Sequence, residues 1–272
     1  MPELREYIPI VGPSVIEELQ ILADNLDGKS IKNVNSTPVG GGVAEIMTRM
    51  IPLLRQLGVN ANWDVIKGDE RFFGITKKMH NALHGTPTLF LGDDFDYFIA
   101  VNRRNASEMD LSGDVMFIHD PQPIGLVEKR GRSNGKWAWR CHIDFTTPQE
   151  DVIDFLTGYI ERYDSMVFSA PVFGRDFNIP QVLISPSIDP LSDKNRDLPK
   201  ETIDGIVSRY GIDPEKPLVT QISRFDYLKD PVGVIKAYKI VKKNFDCQLV
   251  LAGGGATDDP EEIGRASCRE RV

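Results

Sequence analysis

A short apolar run at residues 31–34 leads through Asn35-Ser36-Thr37-Pro38-Val39 into three consecutive glycines, Gly40-Gly41-Gly42. Val43-Ala44-Glu45 then opens a stretch of helical spacing. That succession reads as a strand, a glycine turn and a helix, the unit from which parallel sheets are built. Such a turn aims bare backbone N–H groups, and the positive end of a helix dipole, at whatever lies above it, most often a phosphate. The spacing is not G-x-G-x-x-G and no G-K-[ST] follows, so neither a dinucleotide fingerprint nor a P-loop is present. Alone, the turn implies a phosphate or a sugar nearby and nothing finer.

The alternation recurs along the chain. β-rich apolar runs predict strands at 31–35, 62–66, 115–119, 137–143, 166–169 and 182–185. Between the first two, Val43, Ile46, Met47, Met50, Leu54 and Leu57 share one helical face that Gly58 closes, and Pro52 is expected to kink it. A second helix is expected over 150–163, with Val152, Phe155, Leu156 and Tyr159 inward. Strands alternating with helices predict an α/β fold, a Rossmann-like parallel sheet covered on both faces.

Ser185-Pro186-Ser187-Ile188-Asp189-Pro190-Leu191-Ser192 breaks the rhythm and reads as a crossover between domains. The pattern then restarts with a strand at 218–222, a helix at 230–244, a strand at 247–252 and Gly253-Gly254-Gly255. The expected organisation is a complete first domain over 1–190, with 1–28 as an N-terminal extension, and a partial second domain over 191–261. The second carries about two strands where a typical sheet has five or six. Residues 262–272 read like one frame of a common sequencing adapter, so they are taken as a non-native tail and the native protein is expected to continue beyond them.

A net charge of -8 without a basic stripe argues against nucleic acid. No apolar run approaches the length of a membrane span, and Met1-Pro2-Glu3-Leu4-Arg5-Glu6 has no hydrophobic signal core. Cys141, Cys247 and Cys268 are too few and scattered for a disulfide framework or a metal cluster. The expected setting is cytoplasmic.

Several groups of residues bear on chemistry. Arg224 and Lys229, in Ser223-Arg224-Phe225-Asp226-Tyr227-Leu228-Lys229, follow a predicted strand; one fork and one point charge would suit a diphosphate. The same residues also read as a solvated basic pair opening a helix. His119 and Asp120 end one predicted strand, and His142 and Asp144 end another, on the sheet edge that carries the glycine turn. They could bind sugar hydroxyls or handle a proton, and each taken singly also reads as a hydrogen-bonded strand terminus. Asp93-Asp94-Phe95-Asp96 holds a D-x-D that reads as an acidic surface loop rather than a metal site, and His80 and His84 read as a helix surface pair.

Taken together these segments resemble the retaining nucleotide-sugar glycosyltransferases with two Rossmann-like domains (the GT-B type, family 4). More narrowly, they resemble the trehalose synthase and trehalose phosphorylase branch. The resemblance runs from about residue 30 to residue 261. It rests on Val34-Asn35-Ser36-Thr37 with Gly40-Gly41-Gly42-Val43-Ala44-Glu45, on Ile118-His119-Asp120-Pro121-Gln122-Pro123 and on Trp139-Arg140-Cys141-His142-Ile143-Asp144. Pro186-Ser187-Ile188-Asp189-Pro190-Leu191-Ser192 and Gln221-Ile222-Ser223-Arg224-Phe225-Asp226 also match.

The resemblance implies roles for individual residues. Arg224 and Lys229 would grip the donor diphosphate, and Gly41 and Gly42 would let backbone approach the donor phosphate and sugar. His142 would sit beside the transferred glucose, Asp120 would bond the acceptor sugar, and His119 and Asn35 would support it. It implies a reversible glucosyl transfer from a nucleoside-diphosphate glucose to glucose, forming trehalose, with no metal or other cofactor required. Apart from the resemblance, the expected partners are small sugar and nucleotide-sugar substrates and a second copy of the chain in a homodimer. The family's paired glutamates belong to a part of the second domain that this sequence lacks, so the 272-residue chain is expected to be inactive alone. A phosphorylase using inorganic phosphate, and a non-catalytic sugar-binding protein of the same fold, are the alternatives.

Overall fold

The computed structural model describes residues 2–132, 135–225 and 227–253. Asp226, Gly254, Gly255 and the expected non-native tail lie outside the described residues. The chain divides into two units, Met1–Asp189 and Pro190–Val272.

The first unit opens with helices α1 (Leu4–Val11) and α2 (Pro13–Asp24), then runs β1 (Ser30–Asn35), α3 (Gly42–Gln56), β2 (Asn60–Val65), α4 (Glu70–Leu83) and α5 (Asp94–Glu108). It continues through β3 (Val115–His119), a 3-10 segment at Ile124–Arg132, β4 (Lys136–Arg140), α6 (Glu150–Ile160), β5 (Ser165–Phe168) and β6 (Gln181–Leu183). Every paired strand is parallel, in the order β2-β1-β3-β4-β5-β6. The chain leaves β1 for β2 on one side and returns to β3 on the other, which places a topological switch point between β1 and β3. Open α/β sheets bind ligands beyond the carboxyl ends of the strands at such a point.

Register gives the sheet two unlike faces. Val34 lies opposite Ile118, Ile118 opposite Trp139, and Trp139 opposite Met166, so these four form one continuous row. All four are fully buried in the main apolar cluster, beneath Phe72, Phe98 and Leu156 of the covering helices. The neighbouring row, on the opposite face, runs Asn33, Phe117, Ala138, Ser165. His119 and Arg140 are register partners on that second face. A second apolar cluster joins α3 to β2 through Met47, Ile51 and Ala61.

The structure overturns one of the local expectations and adds detail to others. Helix α3 runs through Pro52 to Gln56 as one element, and Gly58 follows its C-cap Leu57 with φ 87°. Residues 93–96 are not a surface loop. They open α5, and Asp94 is buried, bonded to Lys78 Nζ and to the Leu91 N–H, both at 2.9 Å. An acid in the first turn favours the helix dipole, and Lys78 neutralises it, so the motif is structural. His80 and His84 pack ring against ring at 4.7 Å on the end of α4. The N-terminal extension is helical, and Tyr7 of α1 donates to Asp189 Oδ1 at 2.9 Å while Arg49 Nε lies 3.4 Å from Asp189 Oδ2.

The second unit contains α7 (Lys200–Arg209), β7 (Leu218–Ile222), a 3-10 turn at Tyr227–Lys229, α8 (Pro231–Val241) and β8 (Gln248–Ala252). Strands β7 and β8 pair in parallel as a two-stranded sheet.

Candidate active site

The sheet edge at the β1–β3 switch is built by three strand ends. Asn35 ends β1; its Nδ2 donates to the Thr37 carbonyl at 2.8 Å and its Oδ1 accepts from Trp63 Nε1 at 2.9 Å. These bonds hold the start of the glycine turn. Gly40 and Gly41 have φ of 76° and 79°, and Gly41, with ψ 161°, occupies a region open essentially to glycine alone. Gly42 differs: its φ is not positive and an added Cβ would meet nothing within 4 Å. The conformational need therefore falls on Gly40 and Gly41, and only a close approach by a ligand would require Gly42. All three are exposed at the N-terminus of α3.

β3 ends at His119 because Asp120 takes φ 64°, a left-handed turn that aspartate tolerates better than most residues. The turned chain is pinned on three sides. The Asp120 N–H donates to the Arg140 carbonyl at 2.8 Å, the Asp120 carbonyl accepts from Trp139 Nε1 at 2.8 Å, and Asp120 Oδ1 accepts from the His142 N–H at 2.8 Å. Strand β4 accordingly ends at Arg140, three residues before the sequence-predicted limit, because the amide of His142 has been drawn to the Asp120 carboxyl.

The two imidazoles meet across this edge. His119 Nδ1 lies 3.2 Å from His142 Nε2, with the rings near-parallel at 17° and 5.5 Å apart. His119 Nε2 lies 3.1 Å from Asn33 Oδ1. His119 and Asn33 are fully buried, and His142 is half-buried. Burial pushes the His142 imidazole down to about 4, helped by the charge of Arg140, and holds His119 well below its ordinary value. Both rings are neutral at pH 7. Asp120 retains some exposure as a residue, yet loss of water around its carboxyl pushes it up to about 7, against the lowering effects of the His142 amide and Arg140. Burial, reinforced by Asp120, pushes the Cys141 thiol up, so it is an inert core group. The edge thus offers neutral hydrogen-bonding groups and one carboxyl poised between its two forms, chemistry suited to sugar hydroxyls. Asp144 stands apart, its Oδ1 accepting from the Thr146 N–H at 2.7 Å.

Arg224 and Lys229 belong to the second unit. They follow β7, whose end is tied to β8 by the Ser223 N–H donating to the Ala252 carbonyl at 3.0 Å. An added Cβ on Gly253 would come within 1.9 Å of the Ser223 carbonyl, so glycine is obligatory there. Gln221 Nε2 donates to the Lys229 carbonyl at 2.6 Å, folding the loop back on its strand. Arg224 is half-buried and Lys229 exposed.

Gly41, Asn35, His119, Asp120 and His142 therefore share one edge of the first unit, with Arg224 and Lys229 at a strand end of the second. The sequence reading missed Asn33 and the buried Arg140. Among the described residues no helix is long and apolar enough to cross a membrane, and no three His, Cys, Asp or Glu residues are grouped to hold a metal.

A family model described as the N-terminal domain of trehalose synthase matches residues 33–175, just over half of the chain. The chain is 43% identical to a trehalose synthase of Pyrococcus horikoshii over 265 residues, covering 95% of this chain and 63% of that protein. It is 42% identical to a trehalose synthase of Rubrobacter xylanophilus, covering 95% and 64%. A trehalose phosphorylase of Grifola frondosa is 30% identical, with 95% of this chain and 42% of that protein covered. Among solved structures, an α,α-trehalose-phosphate synthase (UDP-forming) from Burkholderia xenovorans matches with a TM-score of 0.65 at 14% identity, over 87% of this chain and 68% of that one. At that identity the likeness is one of fold. The chain spans less than two thirds of the length of the trehalose synthases of Pyrococcus horikoshii and Rubrobacter xylanophilus.

Proposed function

The chain belongs to the trehalose synthase family, a branch of the two-Rossmann-domain glycosyltransferases, and from that premise we propose reversible, retaining glucosyl transfer from a nucleoside-diphosphate glucose to glucose, forming trehalose. The observation that carries this reading is the edge formed by His119, Asp120 and His142, which lies wholly inside the family match. Asp120 is assigned to an acceptor hydroxyl, with His119 and Asn35 supporting it, and His142 to the transferred glucose. Gly41 and Gly42 present backbone to the donor phosphate, and Arg224 and Lys229 hold the diphosphate.

In this reaction the acceptor hydroxyl oxygen bonds to the anomeric carbon on the face from which the diphosphate departs. The carbon–oxygen bond to the diphosphate breaks, and a diphosphate oxygen takes the hydroxyl proton. No protein nucleophile or metal is needed; the enzyme's contribution is positioning and stabilisation of charge on the leaving diphosphate. Neutral imidazoles fit that scheme, since a histidine held near pKa 4 neither takes up nor releases a proton at neutral pH. The assigned setting is cytoplasmic, which suits the free, buried Cys141 and Cys247.

The test is a chimera in which the remaining length is supplied from the Pyrococcus horikoshii relative, incubated with trehalose and either a nucleoside diphosphate or inorganic phosphate. Nucleoside-diphosphate glucose is the expected product. Glucose 1-phosphate formed only with phosphate would assign phosphorolysis instead, the second reading that the 30% identical phosphorylase supports. The 272-residue chain alone is expected to make neither.

A further inference from the structure

A buried chain of hydrogen bonds reaches behind His142. Asn33 sits in the middle of β1, fully buried, and its two amide atoms face different partners. Nδ2 points to the Asn62 carbonyl at 3.5 Å, an oxygen that can only accept, so Oδ1 is the atom facing His119 Nε2 at 3.1 Å. A carbonyl oxygen cannot donate, so the proton of His119 must sit on Nε2. A neutral ring with Nε2–H leaves Nδ1 as a bare acceptor, and that atom lies 3.2 Å from His142 Nε2. His142 must then carry its own proton on Nε2, leaving Nδ1 without one. Among the described residues nothing else bonds to either ring. Phe117 meets the His119 ring edge-on at 5.1 Å, fixing its plane. The charged groups bearing on the pair are Arg140, which opposes protonation of both rings, and the Asp120 carboxyl, which holds the His142 amide.

We propose that Asn33 is a positioning residue that, acting through His119, fixes His142 as the Nε2–H tautomer, so that His142 offers substrate a bare Nδ1 and accepts a hydrogen bond from a sugar hydroxyl. This rests on the reading that His142 faces the transferred sugar. The same logic orients metal-binding histidines through their outer partners. Here it sets the direction of a bond to a hydroxyl: the sugar donates and the protein accepts.

The chain has only four histidines, so each ring can be assigned individually. In long-range ¹H–¹⁵N spectra of the ¹⁵N-histidine-labelled 272-residue chain at neutral pH, His119 and His142 are both expected to show a protonated Nε2 and an unprotonated Nδ1. In Asn33→Leu, which has similar volume and no acceptor, the Nδ1 and Nε2 shifts of His119 and His142 are expected to move toward each other, while those of His80 and His84 stay put. An Nδ1–H tautomer or an imidazolium at His142 in the unmodified chain would overturn the proposal, as would an unchanged His142 in Asn33→Leu. Should that variant not fold, the nitrogen–nitrogen coupling across the His142 Nε2–H to His119 Nδ1 bond in the unmodified chain decides: its presence supports the proposal and its absence overturns it. The spectra require no turnover. A chimera that formed no nucleoside-diphosphate glucose from trehalose would sink the proposed reaction and leave this tautomer assignment standing.

Discussion

The two sheets of this chain use the same local pattern, a parallel strand feeding a helix, yet they treat their apolar residues differently. In the first, Val34, Ile118, Trp139 and Met166 form a row with no exposure at all. In the second, Leu218 is 42% exposed, Ile222 74% and Ile240 of α8 64%. Parallel sheets are ordinarily buried on both faces. The first unit therefore holds its polar edge on a finished core, so the positions of Asp120 and His142 are over-determined. In the second, the loop that carries Arg224 and Lys229 is tied to its strands by local bonds, Ser223 to Ala252 and Gln221 to the Lys229 carbonyl among them. A strand end can be specified locally even where burial is incomplete, but its rigidity comes from the core beneath it.

The hardest test of that contrast is Trp139→Ala. The indole is fully buried in the apolar row and its Nε1 also holds the Asp120 carbonyl. Loss of packing should cost the first unit about 3–5 kcal/mol in denaturant unfolding; a loss below about 1 kcal/mol would place it with ordinary surface changes and refute the idea of a finished core. Arg224→Ala is the counterpart in the second unit. It should lower transfer in the chimera by roughly 10²–10³-fold, as when an oxyanion donor is removed, while leaving stability nearly unchanged. Unchanged turnover would mean that the loop after β7 is only a solvated basic segment.

Proton linkage probes the same edge. The Asp120 carboxyl is pushed from 3.8 to about 7 in the folded chain, so between those values the folded state holds a proton that the unfolded state has released. Stability contributed by this group is full below about pH 4 and is lost as pH rises toward 7. His142 acts with the opposite sign: lowered from 6.5 to about 4, it is protonated only in the unfolded state across that window, so its contribution grows as pH rises. Asp120→Asn, which keeps the acceptor for the His142 amide, isolates the carboxyl. Relative to the variant, the unmodified chain should lose about 1.4 kcal/mol per pH unit between roughly pH 4 and 7. A flat difference would show that the carboxyl is as well solvated as the loops of the second unit.

What could be read in advance follows from these contacts. The strand–turn–helix at 31–45 was legible because its demands are local: an apolar run, residues able to take positive φ, and a helical repeat. Helix α5 was not, since Asp93, Asp94 and Asp96 look like a solvated loop until Lys78 and the Leu91 amide are seen to neutralise Asp94. His119, Asp120 and His142 stood out because they end predicted strands. Asn33 did not, although the alternation of Asn33, Val34 and Asn35 already separates a polar face from an apolar one. Its meaning needs the register that sets β1 beside β3, and register is a long-range fact. Arg140 was hidden for the same reason, as the register partner of His119.

The smallest effects divide the glycine turn itself. Gly41→Ala forces a side chain into φ 79°, ψ 161° and should cost roughly 1–3 kcal/mol of stability whatever binds there. Gly42→Ala has open space around its Cβ and ordinary φ, so it should raise stability by about 0.4–1 kcal/mol through the unfolded chain. If backbone at this helix start approaches the donor phosphate, Gly42→Ala must lower transfer in the chimera even as it stabilises the fold. A stabilised variant with full turnover would remove Gly42 from the donor site and leave the turn a conformational device governed by Gly40 and Gly41. Stability and turnover moving in opposite directions is the outcome expected of a ligand-facing glycine, whose added methyl meets open space in the protein alone and the phosphate in the complex.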